Sequence, residues 1–400
     1  MDPSAKQKRI AFVIAHLGSG GAQRVVATAA NALVERGLDV HLITILDDHA
    51  DIFSLDPRIK RHRRSYKSFR RPLDREVDAS EDQKKQPTPD VVSVATWRSA
   101  LGRVLGAAVF ALDLARRTRW LKGRLRQIQP NAVLSFLTQT NILTVLATRG
   151  LPVRTVLSER NDPLLQRNRR RVELLRRLVY RRADLVTANT HGALSALEPF
   201  VPKQKLAYLP NLLKLDESRD FATFGAPTFI TVGRLVEQKG LDILLKASAS
   251  AFAQLPRWQL AIVGDGPLRV DLQALARSLR IAERIVWCGY VGDPIRLMRG
   301  AKFFVLTSRF EGSPNALLEA MACGLPAIVT DASPGPLELI GETAGLVVPV
   351  GNVTATAAAI RTLASDEPLR ARMGRVARTR ARGQAVDVAI ETWLDLLQCS

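Results

Sequence analysis

Three cysteines, five histidines and four methionines among 400 residues leave little sulfur or imidazole for redox or metal chemistry. Cys288, Cys323 and Cys399 are too scattered for a disulfide framework or a Cys/His metal site, and so few thiols point to a reducing compartment. The chain also lacks a long hydrophobic run. Its longest candidate, within residues 91–129, is interrupted by Arg103 and Asp113 and falls short of the roughly 20 apolar residues that cross a bilayer. The first apolar stretch is short and runs into Gly18-Ser19-Gly20-Gly21, unlike a secretory leader with its cleavage site, so a cytoplasmic protein is expected. Acidic residues are scarce as well: 38 Asp and Glu stand against 58 Lys and Arg, a net charge of +20. The imbalance is local, because residues 1–210 hold 37 of the cations against 19 acids while residues 211–400 hold 21 against 19. Such a half attracts nucleic acid, anionic lipid or a phosphorylated substrate, and charge alone does not separate these.

What is present is a folded composition, 46% apolar and 24% charged, in a chain longer than one hydrophobic core usually supports. Two domains of about 200 residues each are expected. Arg9-Ile10-Ala11-Phe12-Val13-Ile14-Ala15 reads as a buried strand, residues 22–36 as a helix and 40–46 as the next strand, the opening of a parallel sheet with crossover helices. The plan repeats from residue 228, where Thr228-Phe229-Ile230-Thr231-Val232 and Leu260-Ala261-Ile262-Val263 each run into a glycine-bearing loop. The fold class is therefore α/β, with two doubly wound units. The division expected is an N-terminal unit over 1–210 with a mobile basic loop at 58–90, a hinge at 211–227, a C-terminal unit over 228–384, and a last helix at 385–400 packing back on the first unit.

The densest chemical signal is Arg309-Phe310-Glu311-Gly312-Ser313-Pro314-Asn315-Ala316-Leu317-Leu318-Glu319. Ser313 can cap a helix with Pro314 in its first turn and Gly324 at its end, which puts Glu311 just before the helix and Glu319 inside it. The amides of Gly312 to Asn315 are then free donors at a positive helix end, and Glu319 can reach vicinal hydroxyls such as a ribose. Two glutamates eight positions apart in this setting, with Val232-Gly233-Arg234-Leu235-Val236-Glu237-Gln238-Lys239-Gly240 and Ile262-Val263-Gly264-Asp265-Gly266-Pro267-Leu268 upstream, resemble glycosyltransferase family 4, retaining enzymes of the GT-B fold.

That resemblance implies a nucleotide-sugar donor, UDP-linked by preference, and no cofactor or metal. Arg234 and Lys239 would neutralise the donor diphosphate. Gly233, Gly264 and Gly266 would shape its loops, and Tyr290 and Val291 would border the base. Glu319 would bind the ribose, and Glu311 with Gly312, Ser313, Pro314, Asn315 and Leu317 the sugar. Glu311, Arg234 and Lys239 are the expected catalytic group, without a covalent intermediate on Glu311. In the first unit the Gly20-Gly21 turn matches the family's Gly-Gly-Ala loop facing donor and acceptor. The chain departs from the family where many members carry a histidine: after Ala132-Val133-Leu134-Ser135-Phe136 it reads Leu137-Thr138-Gln139-Thr140-Asn141. His16 and His191 read as structural and stand outside the catalytic set.

Glu159, Arg160 and Asn161, at the end of a strand where ligands of α/β folds bind, are the acceptor-side candidates. Ser158-Glu159-Arg160-Asn161-Asp162-Pro163, Gly-Ser-Pro-Asn and Ser333-Pro334-Gly335-Pro336 look like the branch that builds bacterial surface polysaccharides and lipid-linked oligosaccharides. A glycan or polyprenyl-diphosphate-linked acceptor follows from that likeness. A basic, Trp-bearing first unit, with a strip Arg167, Arg169, Arg170, Arg171, Arg176, Arg177, Arg181 and Arg182, would then dock on the anionic inner face of the cytoplasmic membrane. A GT-B epimerase or phosphorylase is the alternative within the fold. A basic nucleic-acid-binding protein is the alternative outside it, though no nucleic-acid motif is present.

Overall fold

The computed structural model describes residues 7–18, 20–46, 51–64, 95–161, 163, 170–215 and 220–398, with 95–108 described by backbone alone. Ser19, the 65–90 part of the expected basic loop, Asp162, Arg167, Arg169 and Cys399 lie outside the described residues.

The short apolar runs pair into two all-parallel sheets. Strands β1 (Arg9–Ile14), β2 (Asp39–Thr44), β3 (Lys60–Arg63), β4 (Ala132–Phe136), β5 (Arg154–Glu159), β6 (Leu185–Ala188) and β7 (Leu206–Tyr208) form the first, in the order β3-β2-β1-β4-β5-β6-β7. Strands β8 (Thr228–Val232), β9 (Gln259–Val263), β10 (Ile285–Gly289), β11 (Phe303–Leu306), β12 (Ala327–Thr330) and β13 (Gly345–Val348) form the second, in the order β10-β9-β8-β11-β12-β13. Helices cover both faces, so the central strands are apolar along their length instead of alternating, and β1, β2 and β4 are buried almost throughout. In both sheets the order reverses beside the first strand of the unit, which opens a crevice at the carboxyl ends of the strands. The two doubly wound units expected from the sequence are thus present.

Strand β3 corrects one expectation. Residues 60–63 were expected inside a basic loop, yet they form an edge strand in register with β2, with Lys60 opposite His41 and Arg63 opposite Thr44. Its charges are tolerated because each has a partner: Lys60 and Arg9 flank the Asp39 carboxylate, and Arg61 and Arg63 converge on Asp51. The pair of cations holds the Asp39 carboxyl down at about 2 against the opposing effect of burial.

The units are joined twice. The chain leaves the first after β7 and returns through the helix Val386–Leu397, and the crossings are stitched by Leu213 and Val386 amides donating to Gln384 and Leu213 carbonyls at 2.8 and 3.0 Å. The returning helix inserts Trp393, fully buried, against Phe136, with ring centroids 6.2 Å apart. Phe136 in turn stacks on Phe12, so the last helix completes the core of the first sheet. Among the described residues no helix is long and apolar enough to cross a membrane.

Candidate active site

The crevice between the units is lined by the loops that follow β1, β4 and β5 on one side and β8, β10 and β11 on the other. The helix Asn315–Ala322 stands at its centre, entered from β11 through Ser308 and Glu311. Pro314 is its N-cap and no side chain caps it, which corrects the expectation for Ser313. The Ser313 carbonyl instead accepts from Asn211 of the first crossing at 3.0 Å. With proline at the cap and no capping side chain, the amides of Gly312, Ser313 and Asn315 have no acceptor among the described residues. They remain available to an anionic or hydroxyl-rich ligand.

Glu311 lies at the mouth of this helix, 7% exposed. Its Oε1 accepts from Lys239 Nζ at 2.5 Å and from Ser308 Oγ at 2.6 Å, and its amide donates to Ser333 Oγ at 3.1 Å. Lys239 ends the single helical turn Glu237–Lys239, and its side chain lies over Gly233, where a Cβ would come within 3.2 Å of Lys239 Cε. Gly240 follows with φ 60°, because the chain must turn sharply against the Thr307 carbonyl there. Arg234 stands exposed on the same loop with no partner among the described residues. The structure therefore brings Arg234, Lys239, Glu311 and the open amides to one place.

Gly264 and Gly266 act through the fold. A Cβ on Gly264, whose φ is 137°, would sit 1.9 Å from the Gly233 carbonyl oxygen, and one on Gly266 would sit 2.6 Å from that of Leu235. They let the β9 loop lie under the Arg234 loop. Tyr290 is 59% exposed on the rim beside the end of β10, while Val291 next to it is half-buried against the second unit's core. Leu317 is fully buried in the core and its amide donates to the Pro314 carbonyl, so its side chain does not face the crevice, contrary to expectation.

Glu319 is one turn into the helix and 7% exposed, and burial pushes its carboxyl up. Its Oε1 accepts from Arg24, which rises from the helix Gly21–Glu35 of the first unit. The Gly20-Gly21 turn that starts that helix touches the second unit directly: Asn315 Nδ2 donates to the Gly21 carbonyl at 3.0 Å. Asn315 Oδ1 accepts from Asn211, so this asparagine of the second unit is tied to both the first unit and the first crossing.

The acceptor-side candidates divide. Glu159 is 1% exposed, bonded to Thr138 Oγ1 at 3.0 Å and to the Tyr180 hydroxyl, and burial raises its carboxyl. Arg160 is 5% exposed, lying 5.3 Å from the ring centroids of both Phe136 and Trp393 and donating to Leu209 O and Asn211 Oδ1. Desolvation lowers its guanidinium to about 9. Neither side chain reaches the crevice, which corrects the expectation, because the strand end turns both inward: Glu159 bonds to Thr138 and Tyr180, while Arg160 packs against Phe136 and Trp393 with its Nε and Nη2 unpartnered among the described residues. Their backbone is what faces the site: a Cβ on Gly312 would lie 2.3 Å from the Arg160 carbonyl and 3.3 Å from Asn161 Cα. Asn161 is exposed there. Where many family members carry a histidine, Leu137 holds φ at 72°, an uncommon conformation for a branched side chain, at the turn into the helix Thr138–Thr148. His16 accepts from the Gly18 amide and His191 stacks on Tyr208 at 5.0 Å.

Sequence reasoning missed Arg24, Asn211, Ser308 and Ser333. The available signal was position, since each follows a strand end or glycine turn on the crevice side, and for Ser333 also its place in the Ser333-Pro334-Gly335-Pro336 run.

Two parallel-sheet units facing each other across such a crevice form the GT-B architecture, and solved structures agree on the fold. HepE of Anabaena, in complex with UDP, matches 98% of this chain and 100% of that chain with a TM-score of 0.72 at 16% identity. The family model for the "Glycosyl transferase 4-like domain" matches residues 20–212 and that for "Glycosyl transferases group 1" matches 217–380, and the chain belongs to glycosyltransferase family 4. Two curated relatives come from Campylobacter jejuni. N-acetylgalactosamine-N,N'-diacetylbacillosaminyl-diphospho-undecaprenol 4-alpha-N-acetylgalactosaminyltransferase is 29% identical over 62% of this chain and 70% of its own length. GalNAc-alpha-(1->4)-GalNAc-alpha-(1->3)-diNAcBac-PP-undecaprenol alpha-1,4-N-acetyl-D-galactosaminyltransferase is 27% identical over 97% of this chain and 98% of its own length.

Proposed function

We propose that this glycosyltransferase is retaining and metal-independent, and that it moves a sugar from a UDP-linked donor to a glycan carried on a polyprenyl diphosphate. The observation that carries the reading is the convergence of Lys239, Glu311 and unbonded amides at one helix mouth, with Glu319 one turn behind. As the glycosidic bond breaks, negative charge grows on the leaving diphosphate, and Lys239 and Arg234 supply two cations where a metal would otherwise act. Glu311 and the Gly312, Ser313 and Asn315 amides orient the sugar hydroxyls. The acceptor hydroxyl attacks on the face the phosphate leaves, and its proton passes to a leaving phosphate oxygen, so the anomeric configuration is kept without a bond to Glu311.

A screen of nucleotide sugars by thermal shift, followed by transfer assays with and without chelator, tests this. A UDP-sugar is expected to raise the melting temperature, and transfer should survive EDTA with an axial or equatorial anomeric bond matching the donor's. An inverted product, or loss of activity restored by added metal, would overturn the mechanism. Sugar epimerisation or phosphorolysis without acceptor would favour the other GT-B activities.

The basic first unit supports a place on an anionic membrane face. Arg116 and Arg119 on the helix Ala95–Ile128, and Arg170, Arg171, Arg177, Arg181 and Arg182 around the helix Arg170–Val179, are exposed, with Leu112 and Leu174 at 58% and 60% exposure among them. Arg176 does not belong to this strip: it is 3% exposed, paired with Glu173 and set against Phe200. Each exposed cation near an anionic leaflet contributes about 1 kcal/mol. Sedimentation with anionic vesicles is expected at low salt and should vanish near 1 M, where screening acts within about 3 Å. Binding that ignores salt would sink the electrostatic dock.

A further inference from the structure

Glu319 is bound from the opposite side of the crevice. Arg24 reaches it from the first unit, one turn past the Gly20-Gly21 loop, and also donates to the Gly292 carbonyl at 3.3 Å, while Phe53 lies 5.7 Å from its guanidinium carbon. The contact uses only Oε1; Oε2 has no hydrogen-bond partner among the described residues and is not sealed from solvent. A carboxylate has acceptor sites enough on two oxygens for an arginine and a diol together. We propose that Arg24 is a positioning residue for donor recognition: it fixes the Glu319 carboxylate by one oxygen and leaves the other to the vicinal hydroxyls of the nucleotide's ribose. Because the two residues sit on different units, full ribose recognition requires the crevice to be closed. The inference rests on the reading of Glu319 as the ribose carboxylate.

The arrangement also governs charge. Burial pushes the Glu319 carboxyl up and Arg24 opposes that by charge and hydrogen bond, while Asp293, on the loop after β10, pushes it further up. Cys323, on Glu319's own helix, has its thiol raised to about 12 and is neutral near pH 7. Arg24 is thus the cation that favours the ionised, accepting form of Glu319 against its burial. Without it the carboxyl titrates at a higher pH, and donor affinity starts to fall at a higher pH as the solution is acidified.

Titration calorimetry with UDP, GDP and ADP between pH 5 and 8, on the intact protein and on Arg24→Gln, Arg24→Lys, Glu319→Gln and the Arg24→Gln/Glu319→Gln pair, tests this. For the nucleotide that binds best, Arg24→Gln should weaken binding about tenfold at pH 7 and move the acid-side loss up by about one pH unit, the size of one opposite charge at contact. Arg24→Lys should recover part of both effects. In transfer assays the donor KM should rise more than kcat falls. In the double variant, removing Arg24 should cost nothing beyond Glu319→Gln. Unchanged or tighter binding in Arg24→Gln, with Glu319→Gln weakened, would overturn the role of Arg24 and leave the ribose reading standing. Unchanged binding in Glu319→Gln, or no binding of any of the three nucleotides, would overturn that reading and the inference with it.

Discussion

Lys239→Ala is expected to lower kcat/KM by about 10²–10³, the loss seen when one fixed cation is taken from a transition state, and Glu319→Ala by about 10–10², the worth of a charged hydrogen bond to the donor, both without unfolding the protein. The two losses differ in kind. Lys239 meets charge that appears as the leaving group departs, so its removal should fall mainly on kcat; Glu319 grips a part of the donor that does not react, so its removal should fall mainly on KM. The fold should survive both. Removing Lys239 leaves Glu311 still bonded to Ser308 at 2.6 Å, and removing Glu319 leaves Arg24 with a side chain 34% exposed and able to find water. Steady-state kinetics with circular dichroism decides the matter, and near-native transfer in either variant would defeat the site assignment.

Trp393→Ala should be the most damaging single change to stability, costing about 3–5 kcal/mol as expected for a large buried aromatic. Trp393 is fully buried, touches Phe136, lies under the Arg160 guanidinium and donates its indole N–H to the Pro210 carbonyl at 3.2 Å. Its loss opens a cavity in the first sheet's core, loosens the returning helix and strips one aromatic face from an arginine that is already desolvated. Arg160 bonds to Asn211, and Asn211 bonds to Ser313 and Asn315, so the damage should also reach the helix mouth. Trp393→Phe keeps much of the packing but loses the indole bond and the volume of the second ring, for about 1–3 kcal/mol. Denaturant midpoints give the ranking, and a Trp393→Ala shift no larger than that of Trp393→Phe would contradict it.

Much of the fold was legible because parallel strands buried on both faces leave short, continuous apolar runs, and both β8 and β9 stand in the structure where those runs lie. Edge strand β3 was not legible, since Lys60-Arg61-His62-Arg63 has no apolar residue; its place depends on Asp39 and Asp51, which come near only after the sheet forms. Glu159 and Arg160 misled for a related reason. Charged residues at a strand end read as solvent-facing, and only the assembled core shows Tyr180, Thr138, Phe136 and Trp393 closing over them.

The sequence by itself determined two doubly wound units, the two glutamates at and just inside a helix start, and the glycine-bearing loops around Lys239, because these depend on spacing and local backbone preference. Only the tertiary structure decided that Arg24 meets Glu319, that Asn211 ties Ser313 and Asn315 to the first crossing, and that Trp393 closes the first core from the far end of the chain. Those contacts join residues between 102 and 295 positions apart, or further, and nothing in local pattern encodes a partner at that range. They arise when two units pack and the crevice between them closes.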